Sequence, residues 1–154
     1  MMRKLLLALL AMAAVQMSGA IKIVAMSDIH AMSEMLVEKS GAAIDKYAAS
    51  DMRMIKESAE ILRTVIGKII EQRPDIVMIS GDLTKDGERL SHEFVASQLE
   101  RLRAKGIKVL VIPGNHDINH PWAATYFDDQ VSPAEGTSSE EFYQIYHKFG
   151  YDQA

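Results

Sequence analysis

Six residues able to bind metal or move protons stand in three short clusters. Asp28 and His30 lie in "SDIH", Asp82 in "SGDLT", and Asn115, His116 and Asp117 in "PGNHD". Carboxylate and amide oxygens with imidazole nitrogen are the donors of divalent-metal sites that polarise phosphoryl groups and acidify water. Asp28 and His30 are two residues apart, so in extended backbone both project to one side and can grip one ion. Asp82 follows Gly81, which permits a tight turn. A carboxylate at such a turn can give one oxygen to each of two ions about 3.5–4 Å apart. Asn115 adds a neutral hard oxygen. His116 can donate a proton or stabilise charge on the substrate, and Asp117 is the candidate to orient its ring.

Each cluster follows a short apolar run: residues 21–27, 75–80 and 107–112. Between the first two runs, Ile55, Ala59, Leu62, Ile66 and Ile69 recur at helical spacing, and Arg73-Pro74 ends the pattern. Between the second and third, Val95, Leu99 and Leu102 form another stripe, with Ser91 as expected N-cap and Gly106 as expected C′ residue. Strand, helix, strand, helix, strand reads as βαβαβ with a parallel sheet. Continuous aliphatic strands agree, since parallel strands are ordinarily covered on both faces. Right-handed crossovers place all three strand ends on one edge, where α/β sheets bind ligands. The six residues should therefore converge. A last helix is expected within "TSSEEFYQIYHKFG", with a Thr137–Glu140 capping box. Residues 31–50 read as an irregular or partly helical insertion.

The segments "SDIH", "SGDLTKDGE" and "IPGNHD" resemble the first three motifs of the calcineurin-like metallophosphoesterases. The resemblance runs from about Ile21 to at least Asp117. It implies an αββα sandwich of two sheets, of which this chain holds the βαβαβ half. It also implies two divalent metal ions, manganese, iron or zinc, and hydrolysis of phosphate mono- or diesters by metal-activated hydroxide. Carried over by position, Asp28 and His30 hold the first metal, Asp82 bridges both and Asn115 holds the second. His116 acts on the phosphoryl or leaving-group oxygen, assisted by Asp117.

The family completes its site with later histidines, including a Gly-His-x-His segment that this chain lacks. Its remaining histidines are His92, His120 and His147. His92 and His147 fall on predicted helices and are expected at the surface; His120 is expected in a solvent-facing loop. The segment "DINHPWAATYFDD" is the local candidate for a substrate-facing lip, with Trp122 and Tyr126 available for stacking, though both are rather expected to pack that loop down. Three strands and their helices leave one sheet face uncovered, so the chain reads as the N-terminal part of a longer enzyme, incomplete at Ala154. The alternative is a truncated, non-catalytic half-domain that binds metal or depends on a partner.

Composition sets outer limits. The 154 residues, 48% hydrophobic and 25% charged, suit one globular domain. A net charge of -4 argues against a nucleic-acid backbone as the main partner, since such binders usually carry a basic face. Residues 1–20 combine a basic start, an eleven-residue apolar run and small residues at Ser18 and Ala20. They read as a signal peptide, with residues 21–154 as the phosphoesterase domain, exported to the periplasm or secreted. The apolar run is short of the roughly 20 residues that span a bilayer, and no later segment looks transmembrane. The absence of cysteine excludes disulfides and thiol catalysis. Neither G-x-x-x-x-G-K-[ST] nor G-x-G-x-x-G occurs, which argues against a nucleotide-binding domain. His30 occupies the place of the second aspartate that a haloacid-dehalogenase-type phosphatase needs.

Overall fold

The computed structural model describes residues 19–38 and 40–153. The expected signal peptide lies outside the described residues except for Gly19 and Ala20. The three apolar runs form β1 (Ile23–Met26), β2 (Ile76–Ser80) and β3 (Lys108–Ile112), a parallel sheet in the order β1-β2-β3. Ile23 lies opposite Ile76 and Ile76 opposite Lys108, so the strands end together at one edge.

Two helices bury one face of this sheet. In α2 (Ser58–Gln72), Ala59, Leu62, Ile66 and Ile69 are all buried, while Ile55, in a preceding 3-10 turn, is buried in a different cluster. The helix stops at Arg73, whose left-handed backbone (φ 48°) caps it ahead of Pro74. In α3 (Arg89–Arg103), Val95, Leu99 and Leu102 are fully buried against Val77, Ile79, Val109 and Val111. Each such side chain contributes roughly 1.5–3 kcal/mol. The opposite sheet face is open: Ile23, Met78 and Ile112 are 53%, 46% and 58% exposed. The aliphatic continuity of the strands therefore does not mean cover on both faces among the described residues.

Three boundaries differ from expectation. Helix α3 starts two residues before Ser91, whose buried hydroxyl accepts the Ser33 N–H at 3.2 Å and so tethers a loop instead of capping. The helix ends at Arg103 with Ala104 as its cap, which puts Gly106 (φ 78°) one place beyond C′. Helix α4 (Ser139–Tyr146) is capped by a Ser138–Glu141 box, one residue later than the Thr137–Glu140 pair. Thr137 is buried and its carbonyl accepts the Asn119 N–H.

The insertion is ordered by a second core. Helix α1 (Ala42–Ser50), with Met32, Leu36, Ile44, Ile55 and Tyr126, packs on an unforeseen antiparallel hairpin, β4 (Ala124–Phe127) and β5 (Gln130–Pro133). Among the described residues, no helix is long and apolar enough to cross a membrane.

Candidate metal centre

Beyond the sheet, the loops after β1 and β2 keep pairing. Asp28 N–H donates to Gly81 O at 3.2 Å, His30 N–H to Asp82 O at 2.9 Å and Ala31 N–H to Leu83 O at 3.0 Å. This zipper runs through left-handed backbone at Asp28 (φ 54°), His30 (φ 44°), Gly81 (φ 86°) and Asp82 (φ 48°). Left-handed conformation is costly for residues with a Cβ and clusters at functional sites. Here it falls on three candidate ligands. Asp28 and His30 therefore converge through left-handed geometry, not through the extended backbone expected from their spacing.

Ligand atoms of Asp28, His30 and Asp82 all lie within 4.8 Å of one another, and His30 Nε2 is 3.7 Å from Asp82 Oδ2. Burial, then the neighbouring Arg53 guanidinium, lowers the pKa of His30. That favours the neutral imidazole, the form that binds metal. Hard oxygens with one imidazole suit a divalent cation, so the residues present fit such an ion.

The third loop reaches the same place because glycines face each other. A Cβ on Gly81 would come within 2.7 Å of Gly114 Cα, and one on Gly114 within 2.2 Å of Asp82 Oδ1. Through this gap the His116 N–H donates to Asp82 Oδ1 at 3.0 Å. Asn115 sits between Gly114 and His116 with its side chain exposed.

His116 and Asp117 part company. The His116 ring lies edge-on to His30, with centroids 4.9 Å apart. Its Nδ1 meets Asp86 Oδ1 at 2.8 Å and Lys85 O at 3.0 Å. Both partners are acceptors, so Nδ1 carries the proton and Nε2 is left for other work. Asp117 does not orient the ring. Its fully buried carboxylate accepts the N–H groups of Leu83 (2.9 Å), Thr84 (3.0 Å) and Gly114 (2.8 Å), and the Thr84 hydroxyl (3.1 Å). It ties the β2 and β3 loops together.

Other residues at the site were missed or misplaced by sequence reasoning. His120 is no solvent-facing loop histidine. It stacks on His116 at 4.7 Å, and its buried Nδ1 lies 3.5 Å from Asp86 Oδ1 with no hydrogen-bond partner among the described residues. Asp86, His116 and His120 make a second trio of ligand atoms within 4.8 Å. Buried Lys85 pairs with Asp86 and lies 3.6 Å from Glu88. Burial opposes its charge, yet the two carboxylates outweigh this and hold its pKa above the ordinary lysine range. Arg53 Nη1 lies 3.0 Å from His30 Nδ1, and the guanidinium donates to the Tyr47 hydroxyl at 2.9 Å and to Asp51 at 2.7 Å. The signal for Asp86 was its place inside "SGDLTKDGE"; nothing local marked Arg53.

His92 is also corrected: it is fully buried, not a surface residue. Its Nε2 donates to Asp117 O at 2.8 Å, and Nδ1 meets the Tyr146 hydroxyl at 3.0 Å. His147 is at the surface, paired with Asp152 at 2.7 Å. Tyr126 packs its loop down at 4% exposure, whereas Trp122 is 70% exposed and does not.

The loops beyond the carboxyl edge of the parallel sheet thus gather carboxylates and imidazoles able to hold a metal ion or carry protons. The family model for calcineurin-like phosphoesterases matches residues 21–152, and the chain belongs to that family. It is 35% identical over 65 residues to a probable cyclic nucleotide phosphodiesterase of Vesicomyosocius okutanii, covering 42% of this chain and 27% of that relative. A protein of the same description from Ruthia magnifica is 42% identical over 59 residues, 38% of this chain and 24% of its own. The uncharacterized metallophosphoesterase YhaO of Bacillus subtilis is 33% identical over 91 residues, 56% of this chain and 22% of its own. The matched part thus spans about a quarter of these curated relatives.

Proposed function

We propose that this protein hydrolyses phosphate diesters at a two-metal centre held by Asp28, His30, Asp82 and Asn115. The observation that carries this reading is the convergence of Asp28, His30 and Asp82, each in left-handed backbone, beside the His116–Asp86 pair. Divalent ions would supply neutralisation of phosphate charge and acidification of water.

The chain's own residues do the rest. Asp86 and Lys85 O hold the His116 ring through Nδ1–H, which turns Nε2 to proton transfer at the phosphoryl or leaving-group oxygen. Asp117 keeps the two ligand loops at fixed separation. The Asp86–His116–His120 trio serves protons, not a resident metal. One Asp86 oxygen already takes the His116 proton, and the Lys85 ammonium occupies the other.

Diesters are preferred over monoesters in this reading because two of the relatives are described as probable cyclic nucleotide phosphodiesterases. The test is hydrolysis of bis(4-nitrophenyl) phosphate and of 4-nitrophenyl phosphate with manganese and with chelator. Manganese-dependent turnover, faster on the diester, is expected; turnover that survives chelation contradicts it.

The open sheet face supports a second reading, in which this unit is catalytically silent until another sheet packs on Ile23, Met78 and Ile112. Activity of the chain alone would remove it. The basic, apolar and small-residue pattern of residues 1–20 supports export to the periplasm or medium.

A further inference from the structure

A cavity of about 700 Å³ adjoins the metal centre, within the roughly 300–1,000 Å³ typical of small-molecule sites. Its polar lining sets Arg53 and Lys85 beside the Asp86 carboxylate, with His116 and His120. Tyr47, Trp122 and Pro133 complete the wall. Arg53 joins the two places, since it lines the cavity and also touches His30 Nδ1 at 3.0 Å.

The aromatic wall is built, not incidental. The Tyr47 hydroxyl donates to Asp51 Oδ2 at 2.8 Å and accepts from Arg53 Nη2 at 2.9 Å. Its ring is held 5.2 Å from that of Tyr126, with Lys85 Nζ 4.7 Å from its centre. A ring fixed before binding loses little freedom on binding. Trp122 is the chain's one tryptophan and is 70% exposed while lining this cavity. At that exposure its ring adds little to packing and is open to a ligand in the cavity.

From the cavity lined by Arg53, Tyr47 and Trp122, we infer that it is the subsite for the organic substituent of the phosphate ester. It selects a flat aromatic group, with Trp122 as the specificity-determining residue. The inference rests on the proposed phosphoesterase reading, which brings the phosphate to the centre that the cavity adjoins.

Two anions with and without a ring test it: phenylphosphonate and methylphosphonate, titrated calorimetrically into manganese-loaded protein. Tryptophan emission reports Trp122 alone. Phenylphosphonate should bind roughly fivefold tighter or better and shift the emission saturably. Trp122→Ala should erase that preference without changing methylphosphonate affinity, and Trp122→Phe should restore it. Equal binding of both anions, or a preference that survives Trp122→Ala, overturns the subsite and leaves the phosphoesterase reading standing. Binding of neither anion overturns both.

Discussion

His116 Nδ1 and Asp86 Oδ1, thirty positions apart in sequence, meet at 2.8 Å. Asp117, the neighbour of His116, gives its carboxylate to three backbone N–H groups and a hydroxyl instead. This division assigns orientation of the His116 ring to one carboxylate and the loop architecture to the other.

Asp86→Asn should therefore lower kcat by about 10–100-fold, the usual effect of losing a supporting carboxylate, while metal content is unchanged. Parallel turnover and metal analysis would show this. Loss of metal in that variant would mean that the Asp86 trio, not the Asp28 trio, holds an ion.

Asp117→Ala should act on stability. It strands the buried N–H groups of Leu83, Thr84 and Gly114, at a cost of about 3 kcal/mol or more. Urea unfolding measures the loss. A variant of normal stability but slow turnover would return Asp117 to the role of ring orienter.

Gly114→Ala places a Cβ 2.2 Å from Asp82 Oδ1 and 2.4 Å from Asp82 N. The carboxylate has to move, so metal affinity should fall by roughly 10–100-fold. Calorimetric titration with manganese gives the number, and wild-type affinity would show that the loops do not need this approach.

How far the sequence led can be seen residue by residue. The β1–β3 runs and the clusters at their ends were legible because each depends on local composition and on a right-handed crossover rule. The left-handed zipper was not, since Asp and His carry no glycine-like mark for positive φ. Asp86 was passed over for Asp117 because sequence adjacency was taken for spatial adjacency. His92 was misread because α4 supplies Phe142 and Tyr146 to cover it, with ring centroids 5.5 Å away in each case. The β4–β5 hairpin was missed because its buried residues, Ala124 and Tyr126, are too few to show a period.

His92 also sets a pH limit. Burial lowers its pKa below the ordinary 6.5, against the opposing pull of the Asp117 carboxylate. The unfolded chain thus binds a proton that the folded one resists. Its contribution to stability is full above pH 6.5 and is lost as pH falls through the depressed folded value. His92→Gln should flatten this part of the stability–pH curve in urea titrations from pH 7 to 5, and an unchanged slope would contradict the assignment.

The most direct test of the metal centre is the metal bound per chain, by elemental analysis, in wild-type protein and Asp82→Asn after manganese loading and desalting. If Asp82 bridges two ions, wild type should hold two and the variant one or none, with diester hydrolysis abolished. Equal metal content and equal turnover in the two proteins would contradict the account at its centre.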